Sequence, residues 1–225
     1  MLSKKVKYIF TAYDKINNFF NTNTVFNFGN PIRNLKIKSN ENAHKYFGLD
    51  SSKKTILVLG GSLGAKNINE GVLNNISLIR ESSYQVIWQT GKFYYKNILS
   101  KNIKDKKIII KDFINRMDLA YSVSDIIISR AGAIAISELC VISKPLILVP
   151  SPNVVDDHQT KNAKAISEKG GCVLIKDSDA KNTMLKTAFD LFENKSKMDS
   201  MKKSLSKLSS PNATQKIVNK IYEII

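Results

Sequence analysis

Three segments of this 225-residue chain place small residues, hydroxyls and amides where a strand-sized apolar run gives way to a helical pattern. The first is Gly60-Gly61-Ser62-Leu63-Gly64-Ala65, after the run Thr55 to Leu59. Glycines let a backbone turn tightly and approach a ligand, and the N–H groups that open a helix attract an anion. Ser62 adds a hydroxyl donor at the same place. The segment is neither a Walker loop nor the full dinucleotide fingerprint, so a glycine turn serving only helix–strand packing stays open. The second is Ser129-Arg130-Ala131-Gly132-Ala133-Ile134-Ala135-Ile136-Ser137-Glu138. Gly132, Ala133 and Ala135 leave room at a helix start, and Glu138 is placed to accept hydrogen bonds from the hydroxyls of a ribose. The bland alternative for Glu138 is a surface carboxylate that complements the helix dipole. The third runs from Pro150 through Asp156, Asp157, His158 and Gln159 to Ala163, with Asp156 or Asp157 suited to cap the helix that follows.

Lesser signals accompany these. Trp88-Gln89-Thr90-Gly91-Lys92 also follows a strand-like run, as does Asp112-Phe113-Ile114-Asn115-Arg116-Met117. The first either lines the crevice or is a simple turn, and the apolar pair of the second either clamps a base or packs. The chain has two histidines, His44 and His158, and the sequence offers no Ser/His/Asp or Cys/His set around either. The adjacent Asp156 and Asp157 resemble a metal site only superficially.

The elements that must position these segments follow from the pattern around them. Strands are expected at 55–59, 84–89, 107–111, 125–129, 145–149 and 172–175, with helices such as 66–79 and 133–142 between them. Alternation of this kind specifies parallel βαβ units: an α/β, Rossmann-like, doubly wound sheet with helices on both faces. Ligands of such sheets bind at the carboxyl ends of the strands, where all three segments fall. From about residue 180 the pattern is helical only, and Pro211 suits the first turn of the last helix. Residues 1–30 differ: Val6 to Phe10 reads as a strand, and Phe28-Gly29-Asn30-Pro31 as a turn. Thirty residues are too few for a stable domain, so this segment is an edge of the main domain or a remnant of another.

Composition narrows the classes. Hydrophobic content is 43% and charged content 24%, ordinary for a globular chain with a core. No apolar run approaches the roughly 18 residues that span a bilayer, and the start lacks a signal-peptide core. Two cysteines, Cys140 and Cys172, argue against a disulfide framework and for a reducing compartment. The net charge of +16 would favour any polyanion, an anionic membrane surface included. The same charge also fits a lysine-rich soluble surface. No zinc-ligand spacing, RNA-binding signature or arginine-rich arm supports a nucleic-acid partner.

Taken in order, Gly29-Asn30-Pro31-Ile32-Arg33, Gly60 to Ala65, Ser129 to Ala133 with Ser137-Glu138, and Asp157-His158-Gln159 with Asn162-Ala163 resemble the landmarks of the MurG family. These are the UDP-N-acetylglucosamine transferases that convert lipid I to lipid II. The resemblance covers roughly residues 6–225, closing on Pro211-Asn212-Ala213-Thr214. It implies a GT-B architecture of two Rossmann-like domains across a cleft, of which residues 31–225 are the UDP-GlcNAc-binding one and residues 1–30 the end of the other with its linker. By the same resemblance Arg33 and Ser62 contact the donor's phosphates, and the backbone at Ile114 reads the uracil. Ala133, Ile134, Ala135, Ile136 and Ser137 cradle diphosphate and ribose, with Glu138 on the ribose hydroxyls. Gln159, with His158, contacts the GlcNAc; some members carry Gln where this chain has His158. Gly60, Gly61, Gly64 and Gly132 supply the phosphate-loop backbone. No metal or organic cofactor is implied, and the family works on the cytoplasmic face of the plasma membrane.

The departure from the family is large. Its N-terminal domain, with the acceptor and membrane surface and the proposed general base, has no counterpart here beyond a last strand. No catalytic base is therefore assigned within the chain, and lipid I is expected to be held by a missing or separate N-terminal domain. Two other readings remain: a nucleotide-sugar-binding module without chemistry, and a basic nucleic-acid or membrane-surface binder on the same scaffold.

Overall fold

The computed structural model describes residues 5–12, 20, 24–33 and 41–223. Six parallel strands form the central sheet: β3 (Thr55–Leu59), β4 (Gln85–Gln89), β5 (Ile108–Lys111), β6 (Ile126–Ser129), β7 (Leu146–Leu148) and β8 (Val173–Leu174). They follow an outlying pair, β1 (Ile9–Thr11) and β2 (Val25–Asn27). The helices are α1 (Glu41–Phe47), α2 (Lys66–Leu73), α3 (Ile76–Glu81), α4 (Lys92–Leu99), α5 (Met117–Val123), α6 (Ala133–Ile142), α7 (His158–Ser167), α8 (Ala180–Phe192), α9 (Lys195–Leu208) and α10 (Ala213–Tyr222).

The sheet order is β5-β4-β3-β6-β7-β8. The chain winds outward from β3 to one edge, returns to β6 beside β3, and winds to the other edge. That doubly wound order leaves its switch point between β3 and β6. All five residues of β3 and of β4 are buried, as expected of strands covered by helices on both faces. Alternate side chains feed two cores. Leu57, Leu59, Ile87 and Ile127 pack with residues of α1, α5, α6 and α7. Ile56, Val58, Val86, Trp88, Ile126 and Ile128 pack with residues of α2, α3 and α8. Register pins the centre, with Leu57 opposite both Ile87 and Ile127.

Each expected strand of this sheet forms, with ends shifted by no more than about two residues, the usual reach of pattern-based boundaries. The expected helix over 66–79 is instead two, α2 and α3, broken at Asn74 and Asn75. Asn75 turns its side-chain amide onto the Gly71 carbonyl at 2.8 Å and the Lys181 carbonyl of α8 at 3.1 Å, a tertiary tie that competes with helix continuation. Pro211 lies in the turn before α10 and not in its first turn, since the helix opens at Ala213.

β1 and β2 pair in parallel outside the main sheet and carry a cluster of Tyr8, Phe10, Phe26 and Phe28. α10 holds this pair to the rest of the fold. The Lys220 ammonium lies 5.0 Å from the Tyr8 ring centroid and 4.6 Å from that of Phe26, and Thr214 donates to the Ile32 carbonyl at 3.3 Å.

Candidate functional site

The loops that leave β3, β4, β5, β6 and β7 share the carboxyl edge of the sheet, and side chains lock them to one another. Gln89, at the end of β4, is buried and uses both ends of its amide. Its nitrogen donates to the Gly61 carbonyl at 3.1 Å, and its oxygen accepts from the Ile114 N–H at 3.0 Å. The loops after β3 and β5 are thus tied through β4. Packing adds a second lock. Gly91 has φ +80°, and a β-carbon there would lie 2.1 Å from the Gly64 nitrogen, so the two glycines meet backbone to backbone. Gly132 differs, because a β-carbon on it would meet no atom within 4 Å. Of the proposed phosphate-loop glycines, Gly60 and Gly64 are therefore closely packed, while Gly61 and Gly132 border open space.

α6 begins at that open side. Gly132 precedes it in extended conformation, and no side chain caps the helix, so its first N–H groups are not capped from within the protein. α2 likewise starts from Ala65 without a side-chain cap, beside the exposed Ser62. Both helix starts carry partial positive charge toward the same edge. Ala133 and Ala135 are half-buried, Ile134 exposed and Ile136 buried.

Gln159 and Asn162, on α7, support the turn before α6. The Gln159 side-chain oxygen accepts from the Ala131 N–H at 3.2 Å and the Ser151 N–H at 2.9 Å, and Asn162 donates to the Ala131 carbonyl at 3.4 Å. His158 opens α7 on the exposed side. The expected aspartate cap is absent as a hydrogen bond. Asp157 stands at the cap position, but it and Asp156 adopt left-handed backbone with φ of 51° and 54°, and neither side chain caps α7.

Glu138 is 8% exposed and lies within the Arg33 fork, with Nε to Oε1 at 2.7 Å and Nη2 to Oε2 at 2.9 Å. The paired carboxylate holds the guanidinium above its ordinary pKa. The Tyr121 hydroxyl, buried on α5, donates to Glu138 Oε2 at 3.3 Å. Burial pushes that phenol well above its usual range, so it stays a proton donor. Ser137 accepts from the Asn30 side chain at 2.9 Å and donates back to the Ala133 carbonyl at 3.0 Å. The Gly29–Arg33 segment is therefore docked along α6 by two side-chain ties. Arg33 is bound to Glu138, and the Ile114 N–H is committed to Gln89.

A second ion pair braces the other half of the edge. Arg130 reaches the carbonyls of Val149 and Pro150 at 3.0 and 3.1 Å and the Asp177 carboxylate, which also accepts from Asn67 on α2 at 2.5 Å. Nothing in the sequence pattern marks Tyr121 or Asp177, and Gln89 and Arg130 stand out only as members of strand-end segments. A cavity of about 750 Å³ meets this region only at Arg33 and is otherwise lined by Ile32, Val141 and residues of the α10 start. Among the described residues, no three His, Cys, Asp or Glu side chains are grouped to hold a metal ion.

Two helix starts, a glycine turn and a carboxylate meet at the switch point of a doubly wound sheet, and the architecture is the Rossmann-like α/β one found in GT-B glycosyltransferases. The chain belongs to the glycosyltransferase family 28 C-terminal domain family, whose pattern matches residues 55–217. It is similar to two curated proteins named UDP-N-acetylglucosamine–N-acetylmuramyl-(pentapeptide) pyrophosphoryl-undecaprenol N-acetylglucosamine transferase. One, from Cytophaga hutchinsonii, is 44% identical over 227 residues, and the other, from Parabacteroides distasonis, is 42% identical over 231. All of this chain is covered in each, but only 61% and 62% of the relative. The chain thus spans about three fifths of the length of the curated relatives it matches. The crystal structure of Acinetobacter baumannii MurG superposes with a TM-score of 0.72 at 27% identity, covering 99% of this chain and 62% of that one. A UDP-N-acetylglucosamine 2-epimerase shares the fold alone, with a TM-score of 0.65 at 12% identity, covering 97% of this chain and 58% of that one.

Proposed function

We propose that this chain is the donor-binding part of an inverting N-acetylglucosamine transferase of peptidoglycan synthesis, with residues 31–225 holding UDP-GlcNAc. The observation that carries the proposal is the convergence of the Gly60–Gly64 turn, the uncapped start of α6 and Glu138 at the β3–β6 switch point. In this reading the diphosphate rests on the α6 start and Ser62, with Arg33 swinging onto it from Glu138. Glu138 then takes the ribose hydroxyls, the Ile114 carbonyl takes the uracil N–H, and His158 and Gln159 face the sugar. Gln159 contributes through its amide nitrogen, since its oxygen is committed to Ala131 and Ser151.

The reaction proposed is attack by the sugar hydroxyl of lipid I on the anomeric carbon of GlcNAc. The bond to UDP breaks with inversion, and the hydroxyl proton passes to a base. This chain's share is to stabilise the charge that gathers on the departing diphosphate, which fixed dipoles at helix starts do without reorganisation. The base and the acceptor site are assigned to an N-terminal domain of the kind that makes up the rest of the relatives' length. The exposed Leu63, Phe93, Phe113 and Ile134 around the strand-end loops would face that domain. The location proposed is peripheral, on the cytoplasmic face of the plasma membrane. Among the described residues no helix is long and apolar enough to cross a membrane.

Calorimetric titration with UDP-GlcNAc tests the proposal, with UDP-glucose and a short DNA duplex as controls. Selective binding of UDP-GlcNAc is expected, together with no transfer to lipid I by the chain alone. Failure to bind either UDP-sugar, or tight salt-sensitive binding of the duplex, would overturn it.

A further inference from the structure

The Tyr121 ring is 3% exposed, among the apolar residues that pack α5 against α1 and α6. A phenylalanine would fill that space without a hydroxyl to satisfy, and a buried hydroxyl is costly unless bonded. Its bond to Glu138 Oε2, at 3.3 Å, is longer than the 2.7–2.8 Å usual for a hydroxyl donor. The Arg33 fork meets the same carboxylate at 2.7 and 2.9 Å and also interacts with the Tyr121 hydroxyl. Arg33 is half exposed and comes from a segment outside the main sheet, whereas Tyr121 is fixed in the core. When the fork leaves, the tyrosine is the partner that stays.

We propose that Tyr121 is a positioning residue, whose hydroxyl orients the Glu138 carboxylate toward the ribose hydroxyls of a uridine nucleotide once Arg33 has been drawn to the diphosphate. The assignment rests on the donor-binding function proposed above. It gives the carboxylate one fixed hydrogen bond and leaves its remaining lone pairs for the two ribose hydroxyls. A hydroxyl that merely satisfied itself in the core would make no distinction between nucleotides with and without those groups.

The test is a binding titration of the full chain with UDP and with 2′,3′-dideoxy-UDP, repeated on Tyr121→Phe, Glu138→Gln and the double variant. The wild type should prefer UDP. Tyr121→Phe should weaken UDP about five- to tenfold and leave dideoxy-UDP within about twofold, the size of one buried hydrogen bond. Adding Tyr121→Phe to Glu138→Gln should cost little more for UDP than Glu138→Gln alone. Equal weakening of both nucleotides, no weakening of either, or additive losses in the double variant would overturn the assignment. A wild type that binds both nucleotides equally would remove Glu138 from the ribose, and one that binds neither would overturn the donor-binding function itself.

Discussion

Gln89 is the side chain whose loss should be felt most widely for its size. Gln89→Leu keeps the approximate volume and deletes two hydrogen bonds, from the Gln89 amide to Gly61 and from Ile114 to Gln89. Their costs differ. The Gly61 carbonyl belongs to an exposed residue, where water replaces the lost donor. Ile114 is 3% exposed, so its N–H is left buried without a partner, at about 1–3 kcal/mol. A leucine recovers part of this through apolar transfer, about 1 kcal/mol. The expected net loss is about 1 kcal/mol, which for a chain of this size lowers Tm by about 2–4 °C. Urea denaturation of wild type and variant would read it as a fall in midpoint with the slope unchanged. Gln215→Leu is the control. Its side chain is exposed and bonded only to Asn219, and it should move stability by less than about 0.5 kcal/mol. A Gln89→Leu midpoint no lower than that of Gln215→Leu would refute the clamp. Under the donor-binding function, the same variant should also weaken UDP, because it frees the loops on either side of β4.

Other variants separate packing from recognition. Gly91→Ala puts a β-carbon 2.1 Å from the Gly64 nitrogen at φ +80°; strain and overpacking together should cost about 2–5 kcal/mol in a denaturation experiment. Gly132→Ala meets no atom within 4 Å, so it should cost less than about 1 kcal/mol yet weaken UDP in a titration by narrowing the α6 start. Burial pushes the Cys140 thiol up to about 11 and Cys172 up to about 12, so at pH 8 only about one Cys140 thiol in a thousand is thiolate. A thiol reagent should label neither in the native state and both in denaturant. Burial also lowers Lys144 to about 8, partly opposed by Asp125 and reinforced by Lys202, while its ammonium bonds the carbonyls of Ser122 and Ser124. With a folded pKa below the unfolded value of about 10.4, the unfolded chain binds more protons between those values. The stability of wild type relative to Lys144→Met should therefore rise from pH 8 to pH 10, as followed by urea denaturation.

The doubly wound sheet was legible because its strands are continuous apolar runs such as Ile126-Ile127-Ile128 and its turns carry glycine. Periodicity reports local burial, and local burial is what fixes β3 to β8. The helix break at Asn75 was not legible, because one of its partners, the Lys181 carbonyl, lies 106 residues away. The same holds at the candidate site. Glu138 was visible as a carboxylate after a glycine turn, but Arg33, 105 residues earlier, was not visible as its partner. Tyr121 reads in sequence as one more apolar position of an amphipathic helix. Only the fold shows that its hydroxyl ends on a carboxylate.

The charge of the chain illustrates the same limit in energetic terms. A net charge of +16 suggests that cations draw an anionic ligand to the site, yet the arginines near the strand-end loops are already neutralised. Arg33 is paired with Glu138 and Arg130 with Asp177. α9, by contrast, carries Lys195, Lys197, Lys202, Lys203 and Lys207 exposed, with only Asp199 as an acidic residue. The excess charge therefore includes a solvated helix surface, where screening weakens it within about 10 Å at ordinary salt. Under the donor-binding function, what would face a diphosphate at the switch point is the pair of uncapped helix starts, each worth about half a charge and fixed in direction by the sheet. Arg33 becomes available only by leaving Glu138, so it adds its charge only as the carboxylate gains a replacement. A ligand carrying both an anion and a pair of hydroxyls can offer that exchange. A simple anion cannot, and that asymmetry favours a nucleotide over phosphate at this edge.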